Sequence, residues 1–190
     1  GFGTSAITSV TAQNTTGVQA SHLLPTDDIA AQIEAIHDDF DVRAAKTGML
    51  ATGEVIETVV EYAPAVTHLV VDPVMVAASG DRLLEPDAED AYEELLAEAT
   101  LVTPNADEAA VLTGIEPTDE ETAIAAGAEL VEMGADAALV KGGHIAGDDV
   151  IDVLVTGDSV RTFRHERIDT DATHGSGCTL SAAIATLLAQ

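Results

Sequence analysis

The feature that most limits how this chain can fold is an alternation of short apolar runs with segments of helical spacing. The apolar runs are rich in β-branched residues and are followed by polar residues, as in His68–Asp72 (HLVVD). Strands that alternate with helices pair in parallel, because a crossover helix must return the chain to the same end of the sheet. We therefore predict an α/β fold, with a mostly parallel central sheet and helices on both faces.

The predicted elements follow one another along the whole chain. We expect strands, the last two forming an antiparallel hairpin, at Ser5–Thr11, Arg43–Met49, His68–Asp72, Leu101–Thr103, Ala137–Lys141, Val150–Val155 and Val160–Phe163. We expect helices from an N-cap at Thr26 or Asp27 to Phe40, then at Thr52–Tyr62, Pro86–Ala97, Asn105 to Thr113, Thr118–Met133 and Thr179–Ala189. Aromatic residues make up only 3% of the chain, so small aliphatic side chains must fill the core.

The charge of the chain is strongly negative, with 7 Lys and Arg residues against 34 Asp and Glu residues and a formal net charge of −27. Such a surface repels nucleic acids and anionic membranes, so we predict neither as a partner. We interpret the acidic excess as a halophilic adaptation to a cytoplasm at high salt, where counter-ions screen the self-repulsion. The simpler interpretation is an ordinary acidic soluble protein. The single cysteine excludes an internal disulfide and a multi-cysteine zinc site.

The motif with the clearest chemical meaning is Thr173–Cys178 (THGSGC), which opens an apolar helical pattern. Glycines permit a tight turn in which successive N–H groups at a helix N-terminus point at one anion. Taken alone, a glycine pair before a helix is more often an ordinary turn. Cys178 lies where the helix dipole favours a thiolate, although a lone cysteine is more often a small buried apolar residue.

Polar motifs also follow the other predicted strands, and the carboxyl ends of parallel strands are where ligands bind in such sheets. These motifs are Asp72, Thr103–Glu108, Lys141–His144 and Thr173–Cys178. The chain has only two lysines, Lys46 and Lys141, so a lysine that persists in this composition is expected to be needed for its charge. Lys141 lies where it can meet nucleotide phosphates, whereas Lys46 is also compatible with a structural ion pair.

Together the motifs resemble those of the ribokinase-like superfamily of ATP-dependent kinases. Most of that superfamily has Asp where this chain has Cys178, and the Cys form resembles the branch that phosphorylates hydroxymethylpyrimidine and its phosphate in thiamine biosynthesis. The resemblance extends over essentially the whole chain, in the segments Ile7–Val18 (ITSVTAQNTTGV), Lys46–Leu50 (KTGML), Asp72–Gly80 (DPVMVAASG), Thr103–Glu108 (TPNADE), Lys141–His144 (KGGH) and Thr173–Ser181 (THGSGCTLS).

The resemblance implies roles for individual residues. The catalytic group would be the amides of Gly175, Ser176 and Gly177, with Cys178 as general base. The pyrimidine would bind Gln13, Met49 and Val74, and ATP and its phosphates would bind Lys141, Asn105, Glu108 and Thr173. Glu108 and Asp72 would order Mg²⁺ through water. Simpler interpretations exist: a strand-end amide for Gln13, core packing for Met49 and Val74, an N-cap for Asn105 and a loop cap for Asp72.

The implied reaction transfers the γ-phosphoryl group of ATP, with Mg²⁺, to 4-amino-5-hydroxymethyl-2-methylpyrimidine and then to the monophosphate, giving the diphosphate. The alternatives are a pyridoxal-type kinase of the same superfamily and a non-catalytic pyrimidine-binding module. The family normally has a further strand and Gly-rich segment before this region and closing helices after it. We therefore expect residues 1–190 to be one incomplete kinase domain, truncated at both ends. We expect a cytoplasmic protein, because no segment resembles a signal peptide and no apolar run approaches membrane-spanning length. The resemblance also implies a homodimer when full length.

Overall fold

The computed structural model describes residues 1–14, 17–75, 84, 88, 91–145, 149–170 and 173–190, apart from the side chain of His144. The strands are β1 (Ser9–Asn14), β2 (Gly17–Leu23), β3 (Ala44–Thr47), β4 (His68–Val71), β5 (Leu101–Val102), β6 (Ala137–Val140), β7 (Asp149–Thr156) and β8 (Val160–Glu166). The helices are α1 (Thr26–His37), α2 (Gly53–Tyr62), α3 (Ala91–Ala97), α4 (Ala106–Thr113), α5 (Glu120–Glu132) and α6 (Ser176–Leu188). Short 3₁₀ turns lie at Ala63–Ala65 and Gly142–His144.

The central sheet has the strand order β3-β4-β5-β6-β7-β8. Strands β3 to β6 are parallel, and β7 and β8 extend the sheet as an antiparallel hairpin. Strands β1 and β2 form a separate two-stranded antiparallel ribbon. The mostly parallel sheet is thus as predicted, and the carboxyl ends of β3 to β6 lie at one edge.

The side chains of each buried strand alternate between two apolar clusters, one on each face of the sheet. Helices therefore cover both faces. Val71 and Val102 face the larger cluster, which contains apolar residues of α1 to α5. Their neighbours Val70 and Leu101 face the smaller cluster, which contains Ala185 of α6. Helix α6 therefore covers β3 and β4 on the face opposite to the other helices.

Side-chain caps fix the starts of three helices. The Thr52 hydroxyl accepts from the N–H of Val55 at the start of α2. Asn105 and Asp119 each form a reciprocal capping box at the starts of α4 and α5. Such a cap satisfies N–H groups that lack an acceptor within the helix and stabilises it by about 1 kcal/mol.

Four predicted boundaries were wrong. The predicted cap at Thr26 or Asp27 does not form, since Pro25 is the N-cap of α1 and no side chain caps the helix. Phe40 lies beyond the end of α1 and stacks on Phe2 instead. The first strand runs from Ser9 to Asn14, and its partner β2 was not predicted because the ribbon is largely exposed on both faces and lacks alternation. Helix α6 begins at Ser176 and not at Thr179.

The predicted helix Pro86–Ala97 appears as α3 from Ala91, and residues 85–87 and 89–90 lie outside the described part. Residues 76–80 of the motif that begins at Asp72 lie outside it too. Within the described ranges, every helix is too short or too polar to cross a bilayer.

Candidate active site

One wide groove at the carboxyl ends of the parallel strands is lined by all the residues predicted to be functional. The loops after β3, β4, β5 and β6 and the start of α6 contribute to it. The predicted residues that line the groove are Gln13, Met49, Asp72, Val74, Asn105, Glu108, Lys141, Thr173, Gly175, Ser176, Gly177 and Cys178.

At the base of this groove Asp72 forms ion pairs with both lysines of the chain, Lys46 and Lys141. Its carboxyl group, only 2% exposed, lies 3.2 Å from Nζ of Lys141 and 3.7 Å from Nζ of Lys46. The carboxyl Oδ2 accepts from the hydroxyl of Ser181 at 3.1 Å, and Oδ1 from that of Thr103 at 3.4 Å. A buried carboxylate is stable only when it is paired and hydrogen-bonded, and Asp72 meets both conditions.

Backbone contacts place Lys141 beside the glycine loop. The N–H of Lys141 donates to the carbonyl of Pro104 at 2.8 Å, and Lys141 forms a parallel bridge with Asn105, which holds the ends of β5 and β6 together. Its ammonium lies next to Gly177, where a Cβ would come within 3.2 Å of Nζ. A side chain at position 177 would therefore displace the lysine.

The glycine loop forms the N-terminus of α6. Gly175 is the N-cap in the left-handed conformation (φ 77°), and the N–H of Ser176 donates to the carbonyl of Thr173. The N–H groups of Gly177 and Cys178 belong to the first helical turn and have no intrahelical acceptor, so they are available to an anion. The thiol of Cys178 is exposed at the same position.

Glu108 is the second buried carboxyl group of the groove, at 6% exposure. It accepts from the N–H of Asn105 at 2.7 Å, while the side chain of Asn105 accepts from the N–H of Glu108. Burial raises the pKa of Glu108 to about 7, although the Asn105 N–H and the charge of Lys141 act in the opposite direction. The N-cap interpretation of Asn105 is thus correct, and the cap also holds Glu108 close to Lys141.

The donor set suits Mg²⁺ only with help from phosphates. Among the described residues, no three His, Cys, Asp or Glu side chains form a cluster that could hold a metal ion. Mg²⁺ commonly takes one or two protein carboxylates and completes its shell with substrate phosphates and water. Glu108 fits that role, whereas both oxygens of Asp72 already contact lysine or hydroxyl groups.

The three residues predicted to bind the pyrimidine, Gln13, Met49 and Val74, line the same groove as the lysines. Gln13 stands on the exposed ribbon, next to the irregularity between Ala12 and Gln13. The carbonyl of Met49 accepts from the hydroxyl of Thr8, and the N–H of Val74 donates to the carbonyl of Asp72. Met49 and Val74 are partly buried, so they can offer an apolar wall to a flat ligand.

Sequence reasoning did not assign Lys46, Thr103 and Ser181 to the site. The scarcity of lysine pointed to Lys46, but an ion pair with a carboxylate 26 positions away leaves no local pattern. Ser181 lies four positions after Gly177, hence on the same face of α6 one turn later.

The family profile described as phosphomethylpyrimidine kinase matches residues 1–190. The chain belongs to the phosphomethylpyrimidine kinase family. It is 46% identical over 192 residues to the hydroxymethylpyrimidine/phosphomethylpyrimidine kinase of Rhizobium meliloti, covering 100% of this chain and 72% of that protein. The predicted family and class of enzyme are therefore confirmed.

Solved structures show the same fold. The crystal structure of phosphomethylpyrimidine kinase from Clostridium difficile matches with a TM-score of 0.86 and 38% identity, over 99% of this chain and 78% of that one. The ADP complex of pyridoxal kinase from Bacillus subtilis matches with a TM-score of 0.87 and 34% identity, over 97% and 72% of the two chains. The predicted ribokinase-like α/β fold is confirmed.

Proposed function

We propose that this chain uses ATP to phosphorylate 4-amino-5-hydroxymethyl-2-methylpyrimidine and then its monophosphate, in thiamine biosynthesis. The observation that carries the proposal is the position of the Lys141 ammonium, beside Gly177 at the N-terminus of α6. A lysine and the free N–H groups of a helix start, at the same point, make a site for a phosphoryl group.

Charge compensation is the main task in phosphoryl transfer, since the transferring group spreads negative charge over its oxygens. Two sets of groups supply this positive charge from different directions. One is the pair of N–H groups of Gly177 and Cys178, and the other is the ammonium of Lys141. Thr173 shapes the loop by accepting from the N–H of Ser176. When bound, Mg²⁺ would neutralise ATP oxygens, and Glu108, positioned by Asn105, is the residue that would hold it through water.

Cys178 is assigned as the general base that takes the proton of the acceptor hydroxyl. Its side chain is exposed to the groove at the first turn of α6, beside the N–H groups proposed to hold the phosphoryl group. In the bound state, Gln13 would donate to and accept from the pyrimidine edge, and Met49 and Val74 would contact its faces.

The experiment that tests the proposal measures ATP turnover with hydroxymethylpyrimidine for the chain and for Cys178→Ala. We expect turnover by the parent and a loss of at least about a hundredfold in kcat for the variant, the usual contribution of a general base. The control is Ala183→Ser, which changes an exposed residue of the same helix, more than one turn after Cys178, that is not among the residues lining the groove. It should leave kcat within about twofold, as for most surface substitutions. Binding of the pyrimidine without turnover would instead support a non-catalytic module.

Pyridoxal is the second candidate acceptor, because pyridoxal kinases share the fold at 34% identity. Both acceptors are heteroaromatic rings with a hydroxymethyl group, so the phosphate site alone does not separate them. Comparison of kcat/KM for pyridoxal and hydroxymethylpyrimidine does. A higher kcat/KM for pyridoxal would identify pyridoxal as the acceptor in place of hydroxymethylpyrimidine. The phosphoryl-transfer site would remain as described.

We also infer that the protein works in a cytoplasm of high salt. The support is the net charge of −27 on a folded domain with two lysines. Such self-repulsion destabilises the compact state at low ionic strength and is screened as salt rises.

A further inference from the structure

The proposed function gives Lys141 a role and leaves the other lysine without one. Lys46 reaches Asp72 from β3, whereas Lys141 reaches it from the end of β6, with β4 and β5 between them. At about 4.8 Å per strand, β3 and β6 lie roughly 14 Å apart. The two ammonium groups therefore approach the carboxylate from opposite sides, Lys141 nearer Oδ1 and Lys46 nearer Oδ2.

The two lysines differ in how they are held. Lys141 donates a hydrogen bond to Asp72 at 3.2 Å. The 3.7 Å separation of Lys46 from Oδ2 is an ion pair without a hydrogen bond, and within the described residues its ammonium donates no other hydrogen bond. Its side chain is 22% exposed and lines the groove, so its N–H donors are available to a ligand.

The charges around Asp72 also leave room for an anion. Two ammonium groups face one carboxylate, which itself accepts from the hydroxyls of Thr103 and Ser181. Gly48 keeps the space next to Lys46 open, since a Cβ there would come within 3.3 Å of Nζ. In a chain of net charge −27 with two lysines, both lysines meet at Asp72.

The position of Lys46 indicates which anion it meets. It lies three positions before Met49, whereas Lys141 lies against the glycine loop that holds the transferring phosphoryl group. The second transfer of the proposed function brings a second phosphate into the groove, carried by the acceptor, close to the first. Two adjacent phosphates repel each other, and one lysine does not compensate both.

We propose that Lys46 binds the phosphate of the monophosphorylated acceptor, and so determines how well the second transfer proceeds relative to the first. Asp72 orients the two lysines toward neighbouring phosphates. This inference rests on the proposed function and adds a specificity-determining residue to it.

The test compares kcat/KM for hydroxymethylpyrimidine and for its monophosphate in Lys46→Met, Lys46→Gln and Lys46→Arg. We expect kcat/KM of both neutral variants to fall at least about tenfold further for the monophosphate than for hydroxymethylpyrimidine, mostly through a higher KM. This is the size of effect expected for loss of a charged hydrogen bond. Lys46→Arg should recover part of the loss. Arg164→Met is the matched control, because Arg164 is an exposed cation of β8 that is paired with Glu120 and is not among the residues that line the groove, and it should affect both acceptors equally.

Calorimetric titration of the monophosphate, without ATP, measures the same preference in the absence of turnover. A Kd that rises at least about tenfold in Lys46→Gln, with unchanged affinity for hydroxymethylpyrimidine, supports the inference. Equal losses for both ligands would make Lys46 structural and overturn it, even if turnover continues. A parent chain that binds both ligands and transfers no phosphate would refute the proposed function instead.

Discussion

Replacement of Glu108 by Gln should stabilise the protein at alkaline pH, in spite of removing a charge from the candidate active site. Burial raises the pKa of Glu108 from 4.5 to about 7. Between these values the unfolded chain loses its proton while the folded chain keeps it, so the free energy of unfolding falls as pH rises. The shift corresponds to about 3 kcal/mol at 1.36 kcal/mol per unit, lost in full above pH 7 or so.

Gln preserves the geometry, because its amide oxygen can accept from the N–H of Asn105 and complete the capping box. The variant and the parent should therefore be equally stable near pH 4.5, and the variant should be more stable by up to about 3 kcal/mol at pH 8. Urea unfolding followed by far-UV circular dichroism measures this, since the chain has no tryptophan.

The matched control is Glu121→Gln, which changes an exposed carboxylate in the first turn of α5. It should shift stability by less than about 0.5 kcal/mol at either pH. A stability difference for Glu108→Gln that does not change with pH, or a loss of stability at pH 8, would refute the reasoning from burial.

Three further predictions concern packing and charge. Tyr92→Phe should leave the stability in thermal unfolding unchanged or raise it by up to about 1 kcal/mol. The reason is that the buried hydroxyl has no hydrogen-bond partner among the described residues. Gly142→Ala should cost about 3 kcal/mol or more, since its Cβ would lie 2.0 Å from the carbonyl oxygen of Ile151, whereas Gly143→Ala has open space and should cost under about 1 kcal/mol. The midpoint of thermal unfolding should rise from low to multimolar KCl, and a fall would contradict the halophilic interpretation.

The sequence was informative about the fold where strands are buried. His68–Val71 and Ala137–Val140 are short apolar runs, and burial on both faces of a parallel sheet requires that composition. The ribbon of β1 and β2 was only partly found, because exposed strands carry no alternation of apolar and polar residues. The start of α6 was misplaced because Ser176 and Gly177 have low helix propensity, yet they form its first turn.

For the candidate site, local motifs were sufficient to find residues but not their partners. The N-cap interpretation of Asn105 is confirmed by the capping box that it forms with Glu108. The environment of Asp72 depends on β3, β5, β6 and α6, whose residues are far apart in the chain. No pattern in the sequence around position 72 could show that both lysines converge there.

The hydrogen bond from Ser181 to Asp72 has a consequence for how the protein acquires its binding capacity. It spans 109 positions, and it joins α6, on the far face of the sheet, to the carboxylate that pairs with Lys46 and Lys141. Closing so long a loop is entropically costly, so this contact is expected to form after the more local strand–helix–strand units. In refolding, affinity for inorganic phosphate should therefore appear later than helical circular dichroism, which makes ligand binding a reporter of the final docking step.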